Sequence, residues 1–247
     1  MTTLNFAGGR RYKSYMTHKT YATYVMALAT IIALHARAAD NELSDHEKKD
    51  GWLLMFDGKS LDGWMEGNKP MDARHVQDGA INVLDQSVYV SHYNRKFDDF
   101  HFSCDYKFDK GTNSGLFFRI AKPNAPGIER GFEIQVLDSY AKPPTRFECG
   151  SLYEFLAPTR QTVKPAGEWN HCEVLCEGPK VKVILNGEQV IDADLDKWTE
   201  AGKNPDGSKN KFKWILKDMP REGYIGLSFH DKGKSCWYKN LKVKPLK

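Results

Sequence analysis

Residues 131–138 read Gly-Phe-Glu-Ile-Gln-Val-Leu-Asp. On a regular strand successive side chains alternate between faces, so Glu133 and Gln135 share one face while Ile134 and Val136 share the other. A bulge near Leu137 returns the Asp138 side chain to the Glu133 face. Two carboxylates and an amide then stand close together, a set able to move protons to and from a substrate. The same spacing also fits a solvated strand face closed by a turn Asp. Upstream, Asn113 to Arg119 reads as a turn entering a strand whose end projects a guanidinium able to clamp hydroxyls or a carbonyl oxygen.

Three further side chains are candidates: Tyr153, Lys164 and His230, the last at the end of an apolar run from Tyr224. Histidine carries the one common side chain whose ordinary pKa lies near neutrality, although a His ending a strand is more often a hydrogen-bonded surface residue. Trp52, Trp64, Trp169 and Trp237 either fill the core or stack on sugar rings. No Gly-rich phosphate loop, HExxH helix or Gly-x-Ser-x-Gly elbow occurs.

The elements that must hold these residues are short alternating runs broken by Gly, Pro, Asn and Asp, without a helix-length 3.6 pattern. Phe100, Phe102, Cys104, Tyr106 and Phe108 form a core face, with His101, Ser103, Asp105 and Lys107 on a wet one. Further strands are predicted at 53–56, 80–84, 88–91, 115–120, 132–137, 151–155, 171–176, 181–185, 189–193, 224–230 and 237–243. Asn186-Gly187 is the strongest hairpin signal, because a type I′ turn needs φ > 0 at both central positions. A Lys-rich stretch over 197–217 reads as a long surface loop with one helical turn. A polar lead-in over 39–50 precedes one domain over 51–247, an all-β antiparallel two-sheet sandwich of the jelly-roll kind.

Residues 1–38 read as a signal peptide cleaved after Ala38, with residues 1–15 an over-called start before Met16. They hold five cations and no acid, so their removal takes the formal charge from +4 to −1. A near-neutral mature domain has no electrostatic footprint for nucleic acid. The expected location is therefore periplasmic or extracellular, with no stable membrane span after cleavage. Five cysteines leave at least one thiol unpaired, and Cys172 and Cys176, four apart on a strand, lie roughly 13 Å from each other and cannot pair. Buried thiols are the expectation, with one long-range disulfide the alternative.

Taken in order, Gly51 to Trp64, Asn113 to Arg119, Glu133 to Asp138, Gly167-Glu168-Trp169-Asn170, Asn186-Gly187, Glu222 to Leu227 and Tyr238 to Leu241 resemble the 3-keto-disaccharide hydrolase family, whose fold is a concanavalin A-like jelly roll. The resemblance implies cleavage of glycosides oxidised to a ketone at sugar carbon 3, by removal of the C2 proton and elimination at C1, ending in hydrolysis or in an unsaturated keto-sugar. By analogy Glu133 or Asp138 is the base, His230 the partner acid, and Arg119 or Lys164 the group at the developing oxyanion. Gln135, Tyr153 and Lys164 are expected to bind substrate. The chain has Ser228-Phe229-His230-Asp231 where the family pattern has Gln before the His and Gly after it.

The Glu133, Gln135, Asp138 spacing is also similar to the Glu-x-Asp-x-x-Glu of laminarinase-type retaining glycosidases, with Gln and Asp in place of the last two acids. A non-catalytic carbohydrate-binding module is the third reading. None of these requires a metal or organic cofactor, while a 3-keto substrate implies a separate sugar 3-dehydrogenase as a functional partner.

Overall fold

The period-two patterns resolve into two antiparallel sheets. The structure, a computed structural model, describes residues 39–123 and 131–246; the leader read in residues 1–38 lies outside the described residues. The strands are β1 (Leu53–Leu54), β2 (Trp64–Glu66), β3 (Lys69–Pro70), β4 (Val76–Gln77), β5 (Ala80–Asn82), β6 (Val90–Phe97), β7 (Phe100–Phe108), β8 (Asn113–Ile120), β9 (Phe132–Leu137), β10 (Asn170–Glu177), β11 (Lys180–Leu185), β12 (Glu188–Asp194), β13 (Gly223–Phe229) and β14 (Cys236–Pro245). An eight-stranded sheet runs β12-β11-β10-β7-β14-β5-β4 with β1 on β14, and a six-stranded sheet runs β3-β2-β6-β13-β8-β9.

The core lies between the sheets, where Phe100, Phe102, Tyr106 and Phe108 of β7 meet Leu116, Phe118, Phe132 and Ile134 of the opposing sheet. Each such large apolar side chain contributes roughly 1.5–3 kcal/mol on burial. Trp64 belongs to this core, its indole N–H donating to the Met55 carbonyl at 2.8 Å. All five cysteines are buried thiols, and burial pushes that of Cys149 up to about 11. The β11–β12 hairpin turns at Asn186 (φ 53°) and Gly187 (φ 83°), as its sequence requires.

Two local expectations are corrected. The outer face of β7 is not simply wet: Asp105 is buried beneath its neighbours, accepting from Asn240 Nδ2 at 2.7 Å and pairing with His171 Nδ1 at 2.6 Å. The lead-in carries a short helix α1 (Asp45–Lys49), closed by a capping box between Ser44 and Glu47. Among the described residues no helix is long and apolar enough to cross a membrane.

Candidate active site

The six-stranded sheet carries a cleft of about 250 Å³ on the face turned away from the core. Its floor follows from cross-strand register. Gly115 of β8 opposes Gln135, and Phe117 opposes Glu133. Opposed residues on paired strands share a face, so the Phe117, Glu133 and Gln135 side chains point together while Leu116 and Ile134 enter the core. A Cβ on Gly115 would come within 2.3 Å of Glu133 Oε1. The absent side chain at position 115 is therefore the space the Glu133 carboxylate occupies. Gln135 is buried and donates through Nε2 to Asn113 Oδ1 at 3.2 Å.

A strand is predicted over 151–155 from the local sequence. The chain there instead runs as a short bridged segment along the open edge of β9, with Gly150 N–H on the Gln135 carbonyl (2.8 Å), Gln135 N–H on the Ser151 carbonyl (3.1 Å) and Tyr153 N–H on the Glu133 carbonyl (2.9 Å). Positive φ at Gly150 and at Glu154 (70°) curls it away from regular pairing. The segment caps an otherwise exposed strand edge and delivers Tyr153 to the cleft.

Lys211 lines the cleft beside Tyr153 and pairs with the Glu154 carboxylate at 3.9 Å. Its Nζ lies 3.2 Å from the Tyr153 hydroxyl and 4.3 Å from the ring centre. The loop that carries it is fixed by Asn204, which is buried, accepts from Trp198 Nε1 and Asn210 Nδ2 (both 2.9 Å) and donates to the Glu154 carbonyl. Phe212 then stacks on Phe155, ring centres 5.2 Å apart. His230, just past β13, lines the cleft edge-on to Tyr89 at 5.9 Å, with Nδ1 3.3 Å from the Asp231 carboxylate. Asp231 is the residue that stands where the family pattern has Gly.

The structure thus brings together Glu133, Gln135, Tyr153 and His230, and not Asp138, Arg119 or Lys164. The expected bulge at Leu137 is absent, since β9 stays in register through that residue. Asp138 lies past the strand end and accepts from the Gly111 N–H at 2.7 Å, tying down the turn before β8. Arg119 is turned inward. Ile120 opposes Tyr224 while Phe117 opposes Gly226, a register shift that accommodates an extra residue in β8, and Arg119 takes φ 52° there. Parity reverses: Ile120 joins Phe117 on the outer face, and the fully buried guanidinium donates to the Asp98 carbonyl at 3.1 Å and stands 3.6 Å from Asp99. Lys164 is exposed and its Nζ donates to the Trp169 carbonyl at 2.9 Å, outside the cleft.

Lys211, Asn113 and Tyr89 were missed as site residues. Asn113 has the parity of Gly115 and Phe117, which was readable; Lys211 is marked only by Phe212 and Trp214 in an otherwise polar loop. Among the described residues no group of three or more His, Cys, Asp or Glu is arranged to hold a metal ion.

The profile of a family described as the 3-keto-alpha-glucoside-1,2-lyase-like domain matches residues 51–244. The chain belongs to that family. A 3-keto-disaccharide hydrolase of Bacteroides thetaiotaomicron is 26% identical over 231 residues, covering 80% of this chain and 79% of that protein. Two crystal structures of proteins from Parabacteroides distasonis, both provisionally described as glycosyl hydrolases, superpose with TM-scores of 0.69. One is 30% identical, covering 79% of this chain and 99% of its own; the other is 26% identical, covering 85% and 100%. The matched range contains every cleft residue named above, so the family's carbohydrate-active fold is the scaffold of this cleft.

Proposed function

We propose that the cleft breaks the glycosidic bond of 3-keto-glycosides by elimination across C1 and C2. The observation that carries this reading is the set of groups around Glu133. A single carboxylate, that of Glu133, stands among an imidazole, an amide and a Lys–Tyr pair, while the neighbouring acids are engaged by those groups, Glu154 with Lys211 Nζ at 3.9 Å and Asp231 with His230 Nδ1 at 3.3 Å. Double displacement by a retaining glycosidase needs two carboxyl groups about 5–5.5 Å apart, and Asp138 is held on the Gly111 turn. The family description and the name of the Bacteroides relative support the same chemistry.

In this reading the C3 ketone acidifies the C2 hydrogen, and Glu133 removes it as general base. The electron pair moves onto the C3 oxygen. Lys211 and the second N–H of Gln135 Nε2 stabilise that enolate, a role sequence analysis gave to Arg119 or Lys164. As the ketone re-forms, the C1–O bond breaks and the departing oxygen takes a proton from His230, whose ring is steadied by Asp231. The enone so formed has a C1=C2 double bond. Addition of water, hydroxyl to C1 and proton to C2, completes a net hydrolysis. The ketone itself must come from a separate oxidation at carbon 3.

The test is to run the reaction on a 3-keto-glucoside in D2O, following enone absorbance and the label in the product. The expected result is enzyme-dependent deuterium at C2 of the released sugar, or a free enone if the reaction stops there. Release of aglycone with neither enone nor C2 label above the uncatalysed background contradicts the proposal.

A further inference from the structure

The tryptophans divide by use. Trp64 fills the core, whereas Trp169 and Trp237 are only partly buried and line a second groove of about 370 Å³ on the outer face of the eight-stranded sheet. The active-site cleft and this groove are thus on opposite sheets. The groove is a built feature. Lys107 Nζ sits between the two indoles, 5.1 Å from Trp169 and 4.8 Å from Trp237, and Lys239 lies 4.4 Å over Trp169. Such cation–π contacts fix the rings in place beside the lysines. No other cation or ring among the described residues packs on Trp237.

The polar groups around the indoles are left with hydrogen-bonding capacity. Neither indole N–H has a protein acceptor among the described residues, in contrast with that of Trp64. Gln77 accepts from Asn82 Nδ2 through Oε1, which leaves its own Nε2 donors toward the groove. The Asp78 carboxylate lines the same space without a protein partner among the described residues. Lys239 is neutralised by Asp40 at 2.5 Å, so the two acids and two lysines of the groove cancel in charge.

An aromatic platform, free donors and acceptors at its rim and no net charge fit a ring that is apolar on its faces, hydroxylated at its edge and uncharged. We propose that this groove is a non-catalytic binding site for neutral oligosaccharides, with Trp237 as the stacking platform, Trp169 as the wall, and Gln77 and Asp78 gripping hydroxyls. It is independent of the chemistry in the cleft.

Calorimetric titration of the protein with unoxidised neutral oligosaccharides, and with uronic acid oligosaccharides as the charged contrast, tests it. The wild type is expected to bind a neutral oligosaccharide, Trp237→Ala to lose roughly tenfold or more in affinity, and Glu133→Gln to bind as the wild type does. Asp78→Asn with Gln77→Ala, a pair of surface changes outside the core, is expected to weaken binding in the same direction, which guards against a folding defect at Trp237. Turnover of a small keto-glucoside is expected to stay unchanged in all the groove variants. Absence of binding to any neutral oligosaccharide, preference for the uronic acids, or loss of binding in Glu133→Gln but not in the groove variants overturns the proposal.

Discussion

At the scale of single residues, the site depends as much on a missing side chain as on those present. Glu133 lies over Gly115, so Gly115→Ala forces the carboxylate aside without striking backbone. The expected outcome is a loss in kcat/KM of about 100-fold, in line with misplacement of a catalytic group, with a melting temperature within a few degrees of wild type; steady-state kinetics and thermal melts check it. Arg119 is the opposite case. Its guanidinium is buried beside Asp98 and Asp99, and burial lowers its pKa below the usual guanidinium value. Arg119→Ala is expected to cost about 3–5 kcal/mol, the range for breaking a buried pair, while the remaining folded enzyme keeps its kcat. A denaturant melt alongside active-site-normalised kinetics separates the two effects; a stable but inactive variant would return Arg119 to the chemistry.

At the scale of elements, the loops that furnish Tyr153 and Lys211 are tied to each other by side-chain bonds, Asn204 Nδ2 donating to the Glu154 carbonyl and the Lys211 N–H to the Glu154 carboxylate. Asn204 alone ties Trp198, Asn210 and the Glu154 carbonyl. Asn204→Ala is expected to cost about 1–3 kcal/mol and to raise KM, with faster hydrogen exchange confined to residues near 199–215. The outer face of the β7–β10 pair carries its own network, with His171 on Asp105 at 2.6 Å and Glu173 on His101 at 2.7 Å. The hydrogen bond that His171 donates to Asp105, then the one it donates to Glu173, raises its pKa to about 9. A raised folded pKa gives stability that is fully present below the unfolded value near 6.5 and is lost as pH climbs through 9. For a side chain 40% exposed that contribution is discounted by screening to roughly 1 kcal/mol. Melting temperatures are expected to fall between pH 6.5 and 9.5 in the wild type and to fall less in His171→Gln. These elements also mark what was legible beforehand. β7, β9 and the Asn186-Gly187 hairpin follow from alternation and turn chemistry within a few residues. The inward turn of Arg119 does not, because it depends on a register shift against β13, 105 positions further on at Tyr224. Nor does the departure of Asp138, which is fixed by the Gly111 turn rather than by strand parity.

At the scale of the whole molecule, two sheets sharing one core give two outward faces with different linings. The six-stranded sheet leaves room at Gly115 for the Glu133 carboxylate and is walled by loops, so its cleft gathers a carboxylate, an imidazole, an amide and a Lys–Tyr pair. The eight-stranded sheet presents two partly buried indoles flanking Lys107. The sandwich itself was readable from spacing, and the lining of the cleft was half readable: Glu133, Gln135, Tyr153 and His230 reach it, whereas the cation beside them is Lys211 from a loop whose path the local sequence does not fix. The central claim is that this cleft acts on glycosides activated by a C3 ketone. Its most direct test is aglycone release from a 3-keto-glucoside and from the unoxidised parent, each with wild type and Glu133→Gln. The account predicts release from the keto-sugar alone, abolished by the substitution; equal release from both sugars, or full activity in Glu133→Gln, would contradict it.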